Sequence, residues 1–164
     1  MNLQQTIEIS SKIQGWMSDK ERAWLYEQAT KCDTWVELGV YYGRSLFAVA
    51  MGIKPNGKIY TVDNGTMYFK TLDLIADHRP DVEIVPIVGD SAESVGGVSH
   101  QVDCVFIDAD HSHDAVVKDI NTWLPKVKSG GVICGHDFKE VESAIRATIG
   151  DCEQAGHSIW FKVV

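Results

Sequence analysis

Residues 34–52 read TWVELGVYYGRSLFAVAMG. A short run with strand character, broken only by Glu37, reaches a turn bracketed by Gly39 and Gly43. Behind the turn, RSLFAVAMG carries apolar residues at helical spacing. Glycines let the backbone turn tightly and bring a ligand close to the helix N-terminus, so the unit reads as the first strand, turn and helix of a parallel sheet. Gly-x-x-x-Gly alone also describes an ordinary strand-to-helix turn, so the reading depends on whether the unit recurs.

It recurs downstream. The β-rich runs GKIYTVD (57–63), VEIVPIVGD (82–90), VDCVFIDAD (102–110), GGVICGHD (130–137) and SIWFKVV (158–164) alternate with helical FKTLDLIADH, HDAVVKDINTWLPKV and EVESAIRATIG. The alternation predicts an α/β fold: a Rossmann-like, doubly wound, mostly parallel sheet with helices on both faces. Too few residues precede the final run for a full crossover, so the last strand is expected to be antiparallel. Upstream, SDKERAWLYEQATK (18–31) has Ser18 as N-cap and Glu21 three residues later, the mark of a capped helix. That helix is expected to pack on the sheet or roof its open end, whereas residues before Gly15 carry no clear signal. With no repeat or linker, residues 1–164 read as one domain, a helical segment over 1–31 and the core over 34–164.

Composition narrows the function. The chain is 45% hydrophobic and 23% charged, and no stretch approaches the roughly 20 apolar residues of a membrane span. The start, MNLQQTIEIS, lacks a basic stretch followed by an apolar run, so a cytoplasmic location is expected. No cysteine pair has C-x-x-C spacing, which argues against a zinc ribbon, and Cys104 and Cys134 sit in apolar runs as reduced core residues. A net charge of −8 with scattered Lys and Arg argues against nucleic acid as the main partner.

Ligands of open parallel sheets bind beyond the carboxyl ends of the strands, and polar groups gather there. The first strand ends in Glu37 and the glycine turn. The second ends at Asp63, at the distance from Gly39 where an acid accepts hydrogen bonds from a ribose diol, although Asp-Asn-Gly is also good turn chemistry. The third supplies Asp90 and Ser91, and together these groups outline a nucleoside pocket. The fourth runs VFIDADHSHD (105–114) from a buried strand straight into titratable groups. A crossover length separates Asp108 from His136 and Asp137, which brings these three to adjacent strand ends, where they can share one divalent cation.

GWMSDKERAWLYEQA, VELGVYYGRS, YTVDNG, VGDSAE and FIDADHSHDAVVKDINTWLPKVKSGGVICGHDF, in that order over roughly residues 15–164, resemble the class I S-adenosylmethionine-dependent methyltransferases. The nearest likeness is to small bacterial sugar and macrolide O-methyltransferases. The resemblance implies that Glu37, Gly39 and Gly43 form the cofactor's first motif, with Gly39 near its methionine part. Asp63 would hold the ribose, Asp90 and Ser91 the adenine, and Tyr41, Ser45, Asn64 and Asp108 would complete the cofactor-binding set. Tyr41 stands where the commoner E/D-x-G-x-G-x-G turn has its middle glycine.

Metal-dependent O-methyltransferases resemble the rim as well, with an acid after the fourth strand and two adjacent oxygen ligands after the fifth. Asp108, His136 and Asp137 match, with histidine replacing the first oxygen ligand. Either the site prefers Mn²⁺, Fe²⁺ or Zn²⁺ to Mg²⁺, or His136 is a base beside a weakened site. The resemblance makes His111 the candidate general base, with Asp108 beside it in the catalytic pair. His113 is expected to open the next helix with Asp114. Asp110 stays open between backing the ligands, capping a helix and acting as a fourth ligand. Trp24, Trp35, Trp123 and Trp160 read as packing residues, whereas Trp16, Tyr41, Tyr42, Tyr68 and Phe138 fall in loops facing the site.

The expected activity is methyl transfer from S-adenosylmethionine to a hydroxyl of a small, sugar-like acceptor, with metal assistance. So compact a chain either binds an exposed hydroxyl or borrows a wall from a second copy in a homo-oligomer. Three rivals remain. A nucleotide-sugar glycosyltransferase would use DAD as its D-x-D motif, an NAD-dependent dehydrogenase would share the turn and Asp63, and a nucleoside-binding protein would have no chemistry at all.

Overall fold

The computed structural model describes residues 1–65 and 68–164. Among these, seven strands form one sheet in the order β3-β2-β1-β4-β5-β7-β6: β1 (Thr34–Leu38), β2 (Lys58–Asp63), β3 (Glu83–Val88), β4 (Val102–Ile107), β5 (Val127–Gly135), β6 (Glu153–Ala155) and β7 (Ile159–Val163). β1 to β5 run parallel, and β7 is antiparallel to both β5 and β6, as the short final connection required. Strand order reverses between β1 and β4, which fixes where a ligand crevice opens.

The helices are α1 (Leu3–Ser10), α2 (Asp19–Ala29), α3 (Arg44–Gly52), α4 (Phe69–His78), α5 (His113–Trp123) and α6 (Phe138–Thr148). Strand residues alternate between two cores. Trp35, Cys104, Phe106 and Cys134 meet α2, α3 and α4 on one face, while Val36, Leu38, Val105, Ile107 and Ile133 meet α5 and α6 on the other. α3 is buried from Ser45 through Met51 because α1 and α2 lie over its outer side. That is why its sequence is apolar all round rather than striped.

α2 is capped as its sequence requires: the Glu21 amide donates to Ser18 Oγ at 3.4 Å, and the Ser18 amide to Glu21 Oε2 at 2.7 Å. α1 carries a capping box of its own between Asn2 and Gln5, and its buried positions are Thr6 and Ser10. Each of these hydroxyls donates to a backbone carbonyl one turn back, so the buried face is polar and gives no hydrophobic period. The Arg22 guanidinium ties α1 to α2 through the Ile7 carbonyl and the hydroxyls of Ser10 and Ser11.

Several boundaries move. β4 stops at Ile107 rather than Asp110, which leaves the whole DADHS segment in the loop. α5 ends at Trp123 because Pro125 cannot continue an α-helix, and residues Leu124–Lys126 form a 3₁₀ turn. β5 begins three residues earlier than its glycines suggested, and the short exposed β6 was unanticipated.

Candidate active site

The carboxyl ends of the parallel strands open into a cleft of about 800 Å³. Gly39, at φ 81°, stands at its floor, and a Cβ there would lie 2.1 Å from the Asp108 carbonyl oxygen, so the end of β4 closes against β1 only over a glycine. Tyr41 has a left-handed backbone, at φ 52°. The turn is held from β2: Asp63 Oδ2 accepts the amides of Val40 at 2.7 Å and Tyr41 at 3.0 Å, and Oδ1 accepts that of Gly65 at 2.8 Å. Asp63 therefore fixes the turn and faces the cleft, with one lone-pair site on Oδ1 left for a ribose hydroxyl.

Glu37 and Gly43 lie behind the cleft surface, whereas Ser45 and Asn64 line it. Glu37 is fully buried, and burial raises its carboxyl pKa to about 8 against a 2.6 Å hydrogen bond from Ser45 Oγ. It reaches the cleft only through that serine. At the other end, Asp90 Oδ1 accepts the amides of Ala92 and Glu93, and the Glu93 amide is the main cause of its lowered pKa. Ser91 Oγ donates to Asp119 at 2.6 Å, and its carbonyl accepts Trp123 Nε1 at 2.9 Å. Burial pushes Asp119 up to about 6.

Beyond β4 and β5, the side chains of Asp108, His111 and Asp137 converge, with donor atoms within 4.8 Å of one another. His111 Nε2 lies 3.4 Å from Asp108 Oδ1 and 3.5 Å from Asp137 Oδ2, and its Nδ1 is 4.0 Å from Glu140. The Asp108 hydrogen bond raises the imidazole pKa above its ordinary value, against the opposing effect of burial. His136 is more enclosed. Its Nδ1 lies 3.2 Å from Asp137 Oδ2 and 3.8 Å from Asp108 Oδ1, while Nε2 faces Glu21 Oε1 at 3.3 Å. The converging set thus contains His111, to which the family resemblance had assigned proton transfer, while His136 approaches the same carboxylates from behind. Two carboxylate oxygens and an imidazole nitrogen suit a first-row divalent ion.

Glu21 is the residue sequence reasoning missed. It reads as a helix cap, yet it also accepts the Ser158 amide at 2.9 Å and backs His136. Burial alone would raise its pKa, but the Ser18 hydrogen bonds and His136 outweigh burial and hold it low. Nothing in the sequence signals this, because the partners lie at the opposite end of the chain. Asp110 accepts the Ser112 amide at 2.7 Å, a turn role, and His113 pairs with Asp114 at the start of α5. Of the loop aromatics, Trp16 and Tyr41 line the cleft. Tyr68 and Phe138 are instead buried, the former against Thr61.

Residues 36–138 match the model of a family described as a methyltransferase domain. Solved structures share the fold at low identity. The SAH-bound methyltransferase PaMTH1 of Podospora anserina is 14% identical with a TM-score of 0.73, over 97% of this chain and 86% of that one. The O-methyltransferase of Bacillus cereus, in complex with SAH, is 16% identical with a TM-score of 0.71, over 99% and 90%. The SAM complex of the O-methyltransferase TomG of Streptomyces achromogenes, involved in tomaymycin synthesis, is 12% identical with a TM-score of 0.71, over 99% and 88%.

Proposed function

The chain belongs to the methyltransferase-domain family, and on that footing we propose that it transfers the methyl group of S-adenosylmethionine to a hydroxyl of a small, sugar-like acceptor. The observation that carries the proposal is that one cleft holds both the Asp63-braced glycine turn and the Asp108–His111–Asp137 cluster. The first suits a ribosyl cofactor, and the second suits removal of a proton from an acceptor. Structural relatives in complex with SAH and SAM support the same donor.

In this reading Asp63 grips the ribose, Asp90 and Ser91 flank the adenine, and Gly39 lets the methionine part lie against the end of β1. Transfer is an in-line displacement at the methyl carbon, in which the acceptor oxygen attacks as the bond to sulfur breaks and S-adenosylhomocysteine leaves, so positioning supplies much of the acceleration. His111, the more exposed of the two imidazoles, takes the hydroxyl proton as the new C–O bond forms. With His111 kept for the proton, Asp108 and Asp137 would hold a divalent cation together with His136 Nδ1, which lies 3.8 Å from the first and 3.2 Å from the second. When bound, the cation would acidify the acceptor hydroxyl.

The test is calorimetric titration of the purified chain with S-adenosylmethionine and S-adenosylhomocysteine, with NAD and a nucleotide sugar as controls, each with and without Mn²⁺ or Mg²⁺. Micromolar binding of the methyl-donor pair alone is expected, weakened in Asp63→Ala. Absence of that binding would return the glycine turn to a purely structural role. Binding without turnover on any acceptor would favour the non-catalytic nucleoside-binding reading.

A further inference from the structure

Trp16 is 83% exposed, an unusual state for an indole, and it sits at the mouth of the cleft. It is nevertheless held in place. One ring face stacks on Tyr41 with centroids 5.2 Å apart and planes 20° from parallel. Tyr41 is itself held by the edge of Tyr42 at 4.5 Å and by Gln14 Nε2, which donates to its hydroxyl at 2.9 Å. The turn carrying Trp16 is clamped on both sides, because the Arg44 guanidinium donates to the carbonyls of Ile13 at 2.7 Å, Met17 at 3.2 Å and Ser11 at 3.3 Å. An aromatic face fixed in position and left open at the rim of a site is a stacking platform, since its ordering has already been accomplished by the fold.

The charge of the same cleft limits what can stack there. Its described lining carries Asp63, Asp90, Asp108, Asp110 and Asp137. Against these stand Arg44, whose donors go to three carbonyls, and His111 and His136, which face carboxylates. Lys118, near the Asp90 end, pairs with Asp90 and Glu93. A phosphate brought to this mouth would meet carboxylates, with no free lysine or arginine among the described residues that line the cleft.

We propose that the outer cleft is an acceptor subsite for an uncharged or cationic ring stacked on Trp16, and that it selects against phosphorylated acceptors, including nucleotide-bound sugars. The proposal rests on the methyltransferase reading, since it presumes that the inner cleft holds the donor. The ring lies between Trp16 and the His111 cluster, with its hydroxyl directed inward.

The experiment uses the full chain saturated with S-adenosylhomocysteine in chelator-treated, metal-free buffer, titrated with p-nitrophenyl β-glucoside and p-nitrophenyl phosphate. The two probes share an aromatic ring and differ in charge, and binding is read by calorimetry and by saturation-transfer NMR. The glucoside is expected to bind saturably, and Trp16→Ala to weaken it about fivefold to tenfold while Trp16→Phe retains most of the affinity. The phosphate is expected to bind at least about tenfold more weakly than the glucoside. Equal or tighter binding of the phosphate, an unchanged affinity in Trp16→Ala, or no saturable binding of the glucoside would overturn the proposal. Failure of the methyltransferase reading shows separately, as loss of the initial S-adenosylhomocysteine binding.

Discussion

Glu37 places a carboxyl in full burial with one hydrogen-bonding neighbour, and its second oxygen has no partner among the described residues. Its pKa rises from an ordinary 4.5 to about 8. Below the ordinary value both folded and unfolded chains hold the proton, and the residue adds no pH dependence. Between the two values the unfolded chain ionises while the folded chain does not, so stability declines with rising pH until the folded value is passed. Each pH unit in that window is worth about 1.4 kcal/mol. Glu37→Gln should flatten the decline and gain about 2–4 kcal/mol on the wild type between pH 5 and pH 8, read by urea unfolding. Parallel pH curves for the two proteins would assign the decline to other groups. Glu21 makes a different prediction, because its carboxylate 3.3 Å from His136 Nε2 favours the proton on that nitrogen, which would leave Nδ1 as a lone pair toward Asp108 and Asp137. Glu21→Gln keeps an acceptor and the helix cap, and should leave Mn²⁺ affinity within about threefold, whereas Glu21→Ala should lower it about tenfold or more in electron-spin titrations of the cofactor-free protein. Equal affinities in the two variants would remove Glu21 from the site. Asp63, Asp108 and Asp137 could be read from the sequence because each stands at or just beyond the carboxyl end of a strand. Glu21 could not, since its role depends on which helix the fold lays across the sheet's end.

Elements were legible where local pattern and tertiary demand agreed. α3 and α4 begin and end where the apolar spacing placed them, and the Ser18 cap started α2. The bounds of α1, inside the segment read as helical over 1–31, were not legible because it buries hydroxyls, and β6 was missed because it is three residues long on a sheet edge. The β1–α3 turn combines two conformational demands: glycine is obligatory at Gly39, while Tyr41 accepts a positive φ that few side chains adopt. Gly39→Ala should therefore destabilise the protein by more than about 3 kcal/mol, because strain at φ 81° adds to a clash with backbone that cannot move aside. A well-folded Gly39→Ala protein with unchanged denaturation midpoint would show that the ends of β1 and β4 are looser than this packing requires.

At the scale of the whole molecule, five parallel strands deliver their carboxyl ends to one edge, and the sequence follows four of them with aspartates. The acidity of the cleft was thus written in the chain, and only the tertiary occupation of Arg44 by backbone carbonyls was not. A net charge of −8 reinforces the local field. S-adenosylmethionine carries one net positive charge at neutral pH, because its ammonium and carboxylate cancel and the sulfonium remains, whereas S-adenosylhomocysteine is neutral overall. The acidic edge should draw in the first and be indifferent to the second. Raising salt from about 10 mM to 1 M shortens the Debye length from roughly 30 Å to 3 Å, so the association rate of the sulfonium form should fall several-fold in stopped-flow fluorescence while that of the neutral form holds steady. The comparison isolates charge, since the two ligands differ by one methyl group and present the same adenosine to Asp63 and Asp90. Equal salt dependence would mean that the carboxylates are neutralised before the ligand arrives, as a resident divalent cation at Asp108 and Asp137 would do. Repeating the measurement after chelation would then separate the two cases, because removing the cation restores the difference between the ligands only if the aspartates produce it.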